Sequence, residues 1–132
     1  MKVNCERAVL AHTRMGGHVV TGHVDTKASV ISLESSDDYV KLCVGHFSKQ
    51  ESLYLIKKGC VALDGVSLTI NRFVDGVIEL MLVPHTIQNT HFLDLKVGHI
   101  LNVEFDYMTR TIAHQLQLML ADSDFKKTVM QD

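Results

Sequence analysis

A chain of 132 residues, 46% apolar and 21% charged, has the length for one domain with a packed core and not for two ordinary ones. Its formal charge of −2 is spread over interspersed acids and bases, which argues against the basic stripe of a nucleic-acid surface. No run of about 18 apolar residues is present, so no helix is expected to span a membrane, and Met1–Leu10, with Lys2, Glu6 and Arg7, lacks the apolar stretch of a signal peptide.

A first stretch rich in β-branched residues runs from about Val19 to Leu33, and a second spans Tyr39–Phe47. Ser35-Ser36-Asp37-Asp38 supplies the turn between them. Ser48–Lys58 breaks the pattern. Ser48 and Glu51 have the spacing of a capping box, Leu53 and Ile56 give a short helix an apolar face, and Gly59 ends it. Strict alternation returns in Gly65–Phe73, where Val66, Leu68 and Ile70 alternate with Ser67, Thr69 and Asn71, and in Gly76–Val83, where Ile78, Leu80 and Leu82 form the apolar set. Asp64-Gly65 precedes the first run, and Asp75-Gly76 joins the two as a hairpin turn. Pro84, the only proline, is expected to end or bend the strand before it. Beyond the Val97-Gly98 turn, Leu101, Val103 and Phe105 alternate with Asn102, Glu104 and Asp106 in Ile100–Tyr107. From Thr109 to Leu120 the period becomes helical, with Ile112, Leu116, Met119 and Leu120 on one stripe. Asp122–Asp132 is polar and expected to fray. Strands at short intervals with one inserted helix predict an all-β fold, a six-stranded antiparallel barrel closed so that few edges stay exposed.

The cysteines Cys5, Cys43 and Cys60 are odd in number and widely spaced. That argues against a disulfide framework and against a zinc knuckle, and fits a reducing cytoplasm. The most unusual run is Met15-Gly16-Gly17-His18-Val19-Val20-Thr21-Gly22-His23-Val24-Asp25. Its glycines would let backbone approach a ligand closely, and His18 or His23 could move a proton; a glycine-kinked barrel strand with two ordinary histidines explains the composition equally simply. On a strand, residues five apart face opposite ways, so the two imidazoles are not expected to share a metal ion. Ser67 and Thr69 share a strand face, either as a solvated hydroxyl pair or as a polar lining for the carbonyl and nitrogen edge of a heterocycle. Val83-Pro84-His85-Thr86 reads as a strand end with a rigid bend, and Asp106 as a carboxylate closing a strand on its polar side. Val3-Asn4-Cys5-Glu6 echoes Leu101-Asn102-Val103-Glu104.

Taken jointly, Gly16-Gly17-His18, Gly22-His23-Val24-Asp25, Lys58-Gly59, Asp64-Gly65-Val66-Ser67-Leu68-Thr69, Pro84-His85-Thr86 and Asp94-Leu95-Lys96-Val97-Gly98 resemble the riboflavin synthases in order and spacing, from about Val3 to near Leu120. That family carries two homologous barrels, and this sequence resembles the second. The resemblance implies a Greek-key barrel over residues 12–106, a remnant of the preceding barrel's last strand over 1–11, an oligomerisation helix over 107–121 and a frayed tail over 122–132. It further implies a reaction between two molecules of 6,7-dimethyl-8-ribityllumazine, in which one gives a four-carbon unit to the other to form riboflavin and a pyrimidinedione. No metal or organic cofactor is implied. Ligand contacts carry over to Gly22, His23, Val24, Lys58, Ser67, Leu68, Thr69, Val83, Pro84, His85, Thr86, Ile87 and Gln88. Catalytic roles carry over to His23, Ser67 and Asp106. The expected partners are the lumazine or riboflavin, the first barrel of a neighbouring subunit, and further copies in a trimer. With the first barrel absent, the chain is expected to bind ligand and turn over poorly. The lumazine-carrying antenna proteins, which resemble the same enzyme, offer a non-catalytic alternative; His23, Ser67 and Asp106 together favour the enzyme.

Overall fold

A computed structural model describes residues 3–122 of the chain. It has six strands: β1 (Thr26–Ser35), β2 (Val40–Gly45), β3 (Cys60–Leu63), β4 (Val66–Val74), β5 (Val77–Leu82) and β6 (Ile100–Phe105). All pairings are antiparallel, and the order β1-β2-β5-β4-β3-β6 closes on itself. Closure is made by β1 and β6, with Thr26 opposite Val103 and Ser29 opposite Ile100. This is the closed six-stranded barrel that the alternation predicts.

The period-two pattern builds the core. Leu42, Val44, Val61, Leu63, Leu68, Ile70, Ile78, Leu80, Leu82, Leu101 and Val103 all point inward and are buried. Removing each such side chain from water stabilises the fold by roughly 1.5–3 kcal/mol. Phe47, Leu55, Phe92 and Phe105 join the same cluster, and the Phe105 ring packs 5.1 Å from that of Tyr54. Two tight turns set the register of the central meander. Asp64 and Gly65 (φ 44° and 80°) join β3 to β4, and Asp75 and Gly76 (φ 50° and 74°) join β4 to β5. Two successive positive φ values give the turn whose twist matches a right-handed hairpin.

Three local expectations are corrected and a fourth is extended. The stretch from Val19 does not enter the sheet until Thr26, because Gly22 adopts φ 81° and the Thr21 and Gly22 amides turn to the Glu104 side chain instead of a neighbouring strand. Within Ser48–Lys58 the capping box forms, the Ser48 amide donating to Glu51 Oε2 at 2.7 Å and the Glu51 amide to Ser48 Oγ at 3.2 Å. It starts only a single 3-10 turn, Glu51–Tyr54. Leu53 and Ile56, expected inside, are 50% and 55% exposed, and Leu55 is buried in their place. The cause is Lys58, which takes φ 69° so that its amide can reach the Ile70 carbonyl of β4. Pro84 does end β5, but it also opens α1 (Pro84–Asn89) as its first residue, where its missing N–H removes no bond.

A second helix, α2 (Tyr107–Ala121), follows β6 directly, with Asp106 as its N-cap. Ile112, Leu116, Met119 and Leu120, predicted as an apolar stripe, are all exposed on it. No helix among the described residues is long and apolar enough to cross a membrane. Of the tail expected to fray, residues 123–132 lie outside the described residues.

Gly65 and Gly76 share a left-handed backbone but differ in surroundings. A Cβ on Gly65 would meet nothing within 4 Å, whereas one on Gly76 would stand 2.7 Å from the Phe47 carbonyl oxygen. Gly65→Ala is therefore expected to lose the left-handed penalty alone, about 1–2 kcal/mol. Gly76→Ala should lose clearly more. Urea denaturation of the two variants checks the order, and equal losses would refute the close approach at Phe47.

Candidate functional site

Because Leu68 and Ile70 face the core, Ser67 and Thr69 face outward from β4. The register sets Ala62 beside Ser67 and Cys60 beside Thr69 on β3, and Glu104 of β6 beside Ala62. These residues make one outer face across β4, β3 and β6. Two of them are shielded although they point away from the core: Ala62 is 1% exposed and Glu104 6%. What covers them is the glycine-rich run ahead of β1, laid across the face and fastened at both ends.

One fastening is at Ser67. The His18 amide donates to Ser67 Oγ at 3.2 Å, and His18 Nδ1 lies 2.7 Å from the same oxygen. A Cβ on Gly17 would sit 2.5 Å from Ser67 Oγ, so only glycine allows this approach. Oγ thus meets two groups of His18, its amide and its ring. The other ring nitrogen, Nε2, is buried and has no hydrogen-bond partner. The other fastening is at Glu104. Its Oε1 accepts from the Thr21 amide at 2.7 Å and the Thr21 hydroxyl at 2.8 Å, and its Oε2 from the Gly22 amide at 2.9 Å. Burial by itself would raise the Glu104 carboxyl. The bonds from Thr21 and Gly22, with His23 nearby, outweigh burial and hold it below the ordinary value of 4.5.

The remaining predicted residues sort by element. Lys58, just before β3, hydrogen-bonds the Ile70 carbonyl of β4 through its amide at 2.7 Å. Asp106, half-buried, accepts from the Met108 amide at 2.9 Å and adjoins Cys60, whose thiol is pushed up by burial and then by the Asp106 charge. His23 is exposed, with Nδ1 3.1 Å from Thr21 Oγ1. Val24 is exposed too. Leu68 belongs to the core, so only its backbone is open to a ligand. Val83, Pro84, His85 and Gln88 are exposed, with Thr86 and Ile87 half-buried, on the β5–α1 junction next to β4. His23, Ser67 and Asp106 each bond a different group of the chain: Thr21, His18 and the Met108 amide. Ser67 and Thr69 thus share one face, Lys58 is tied to the same strand by its backbone, and Gly22 and His23 are held on the Glu104 side of that face.

Sequence reasoning passed over Glu104 and Thr21, and the family resemblance carried no site role over to His18. The one signal for Glu104 was its place in the Asn102-x-Glu104 echo of Asn4-x-Glu6. Asn4 has a structural part of its own: its side chain donates to the Asp64 carbonyl at 2.9 Å and accepts from the His91 amide at 2.9 Å. His91 in turn meets Asp64 Oδ2 at 2.9 Å. A cleft of about 600 Å³ lies there, lined by Asn4, Asp64, His91, His99 and Asn102 among others. Of the predicted contacts it includes Val24 alone; Ser67 and Thr69 lie outside it, Ser67 against Gly17 and His18 and Thr69 exposed. Among the described residues no group of His, Cys, Asp and Glu side chains converges as a metal ion would need.

Residues 21–106 match the sequence model of the lumazine binding domain. The chain belongs to the lumazine-binding domain family. Riboflavin synthase of Photobacterium phosphoreum is 42% identical over 120 residues, covering 91% of this chain and 53% of that protein. The Photobacterium leiognathi riboflavin synthase is 37% identical over 131 residues, or 99% of this chain and 60% of the relative. That of Schizosaccharomyces pombe is 35% identical, covering 91% and 58%. This lumazine-binding domain therefore spans little more than half the length of the curated relatives it matches. In fold it is similar to LumP complexed with riboflavin (TM-score 0.65, 22% identity, 70% of this chain and 50% of that one) and to LumP complexed with 6,7-dimethyl-8-(1'-D-ribityl) lumazine (TM-score 0.63, 22% identity, 69% and 51%).

A carboxyl held below its ordinary value contributes stability above that value and loses it as pH falls through the folded one. The Glu104 fastening should therefore be present at neutral pH and fade below 4.5. Glu104→Gln, which leaves at least one of the three donors unmatched, is expected to cost about 1–3 kcal/mol at pH 7. It should also lose less stability than the parent between neutral and acid pH. Urea melts of both proteins across that range check this; parallel curves would mean that Glu104 carries none of the acid sensitivity.

Proposed function

We propose that this domain binds 6,7-dimethyl-8-ribityllumazine or riboflavin on the outer face of β4, next to α1, as the second-barrel half of a riboflavin synthase. The observation that carries the reading is the shared outer face of Ser67 and Thr69 on β4 within the family match, with Lys58 hydrogen-bonded to the same strand through its backbone. A flat pteridine has carbonyls and ring nitrogens on its edge, and hydroxyls with an ammonium are the donors that such an edge takes. The Thr69 part of the face is exposed, so a ligand there would keep one side exposed. A second surface, the first barrel of a neighbouring subunit, would close the site, exclude water and stack the second lumazine in reacting alignment.

In the reaction that this reading assigns, one lumazine gives a four-carbon unit to another, yielding riboflavin and a pyrimidinedione. The step needs a proton taken from an activated methyl, and His23, an exposed imidazole, is suited to accept it. Ser67 would position or deliver the nucleophile that adds to the donor ring, and Asp106 would orient a reacting group. Gly22, Val24, the Leu68 backbone and Val83–Gln88 would complete the contacts. Residues 12–106 form the binding unit in this reading, 1–11 the end of a preceding barrel's strand, and the site of action is the reducing cytoplasm.

A non-catalytic carrier of the same ligand is the second reading. It is favoured by the hydroxyl of Ser67 being engaged by His18 and the carboxylate of Asp106 by the Met108 amide. Mixing the chain with a separately made first barrel separates the two: riboflavin formation from the lumazine supports the enzyme, and bound ligand without product supports the carrier.

Ligand is expected at one per barrel by fluorescence quenching or calorimetry, and no binding at millimolar ligand would end the proposal. Thr69→Val should weaken binding by about 1–3 kcal/mol, the loss of one paired hydroxyl, whereas Thr109→Val, on α2, should leave it unchanged. Equal effects would mean that the ligand is not on this face.

The same reading gives α2 a role in assembly, since Ile112, Leu116 and Met119 are exposed at helical spacing. Deleting residues 108–132 should abolish concentration-dependent self-association in sedimentation and leave the barrel folded. Unfolding of the shortened chain would show instead that α2 is needed by the barrel itself.

A further inference from the structure

We infer that Thr21 and Glu104 are positioning residues that hold His23 as the Nδ1–H tautomer and leave Nε2 as its basic nitrogen. The inference rests on the reading of His23 as the proton acceptor of a lumazine site, and it follows from counting hydrogens. An ionised carboxylate only accepts. The Thr21 hydroxyl, 2.8 Å from Glu104 Oε1, therefore points its single hydrogen at Glu104. The same oxygen lies 3.1 Å from His23 Nδ1. With its hydrogen engaged, that oxygen can only accept there, so Nδ1 must carry the proton. A neutral imidazole has one N–H, and Nε2 keeps its lone pair.

The backbone enforces the arrangement. The Thr21 and Gly22 amides both donate to the Glu104 carboxylate, and Gly22 turns the chain at φ 81°, which returns the His23 ring to the Thr21 hydroxyl. Glu104 cannot drift, being 6% exposed on a barrel strand. Carboxylate, hydroxyl and imidazole form a relay in which the negative charge is passed toward the ring through one oxygen. His18, five residues earlier, has its Nδ1 against Ser67 Oγ and its Nε2 buried. The run thus presents two imidazoles in different settings, one half-buried and one exposed.

The relay suits deprotonation of a methyl group conjugated to an electron-poor ring. The C–H bond breaks, its electron pair stays on carbon and spreads into the ring, and the proton forms a new N–H bond at His23 Nε2. The imidazolium so formed is opposed by the Glu104 charge. No further reactant is needed for this half-step, which reverses when the proton is returned.

The test reads the tautomer directly, without ligand. In the full 15N-labelled chain at about pH 8, where an unperturbed imidazole of pKa about 6.5 is neutral, long-range proton–nitrogen correlation is expected to show His23 Nδ1 as protonated and Nε2 as bare. His23→Gln identifies the signals by their loss. Thr21→Val keeps the shape and removes the hydroxyl, and should shift His23 away from the Nδ1–H form; Thr21→Ser should restore it. A parent chain with Nε2–H at His23, or a Thr21→Val spectrum identical to the parent's, overturns the inference. The lumazine titration is separate. A chain with the expected tautomer that binds no lumazine refutes the proposed function and not the relay, while a chain that binds lumazine with Nε2–H at His23 refutes the relay alone.

Discussion

A carboxylate cannot be withdrawn from water without partners, and Glu104 is the one charged residue buried among the described residues. Left unpaired there, it would be destabilising by several kcal/mol. Three donors from Thr21 and Gly22 remove that penalty, and they do so only when the glycine-rich run lies across the barrel wall. The run also needs Glu104, since two of its amides have no strand to join. Neither is placed without the other. The shielding of Ala62, the approach of Gly17 to Ser67 and the orientation of His23 all depend on this exchange of hydrogen bonds between segments far apart in the chain.

The barrel was legible because its information is local. Alternation fixes which side of a strand is buried, and Asp-Gly pairs fix where the chain reverses. Both follow from backbone geometry that neighbouring residues determine. The capping box at Ser48 and Glu51 was legible for the same reason. The length of the helix it starts was not, because Lys58 and Gly59 are claimed by Ile70 of β4. A partner that distant leaves no trace in the periodicity of the segment itself.

The candidate site divides along the same line. That Ser67 and Thr69 share a face could be read from period two. Alternation put Glu104 only among the residues opposite the apolar set of its strand; that it is buried there could not be read, because what covers it comes from residues 17–22. His18 and His23 stood out by composition, yet nothing in the run showed that their Nδ1 atoms meet Ser67 and Thr21. Resemblance supplied Gly22, Lys58 and the β5–α1 junction as contacts, which no pattern in those residues would have singled out. Pro84 shows the limit from the other side: a residue known to stop a strand is as well suited to begin a helix, and only the packing after Leu82 decides.

The strand order also has a kinetic meaning. β3, β4 and β5 are joined by two-residue turns, so this meander can form from contacts close in sequence, within the microsecond range typical of hairpins. Closure is different, since β1 must find β6 across most of the chain, and pairings of such high contact order are slow. Until they meet, β1 and β6 each present an open edge of unpaired backbone groups. During synthesis β1 emerges long before β6 exists, and a nascent chain with a free edge is exposed to pairing with its neighbours. The seam between Thr26–Ser29 and Ile100–Val103 is thus where two newly made copies would most readily exchange strands.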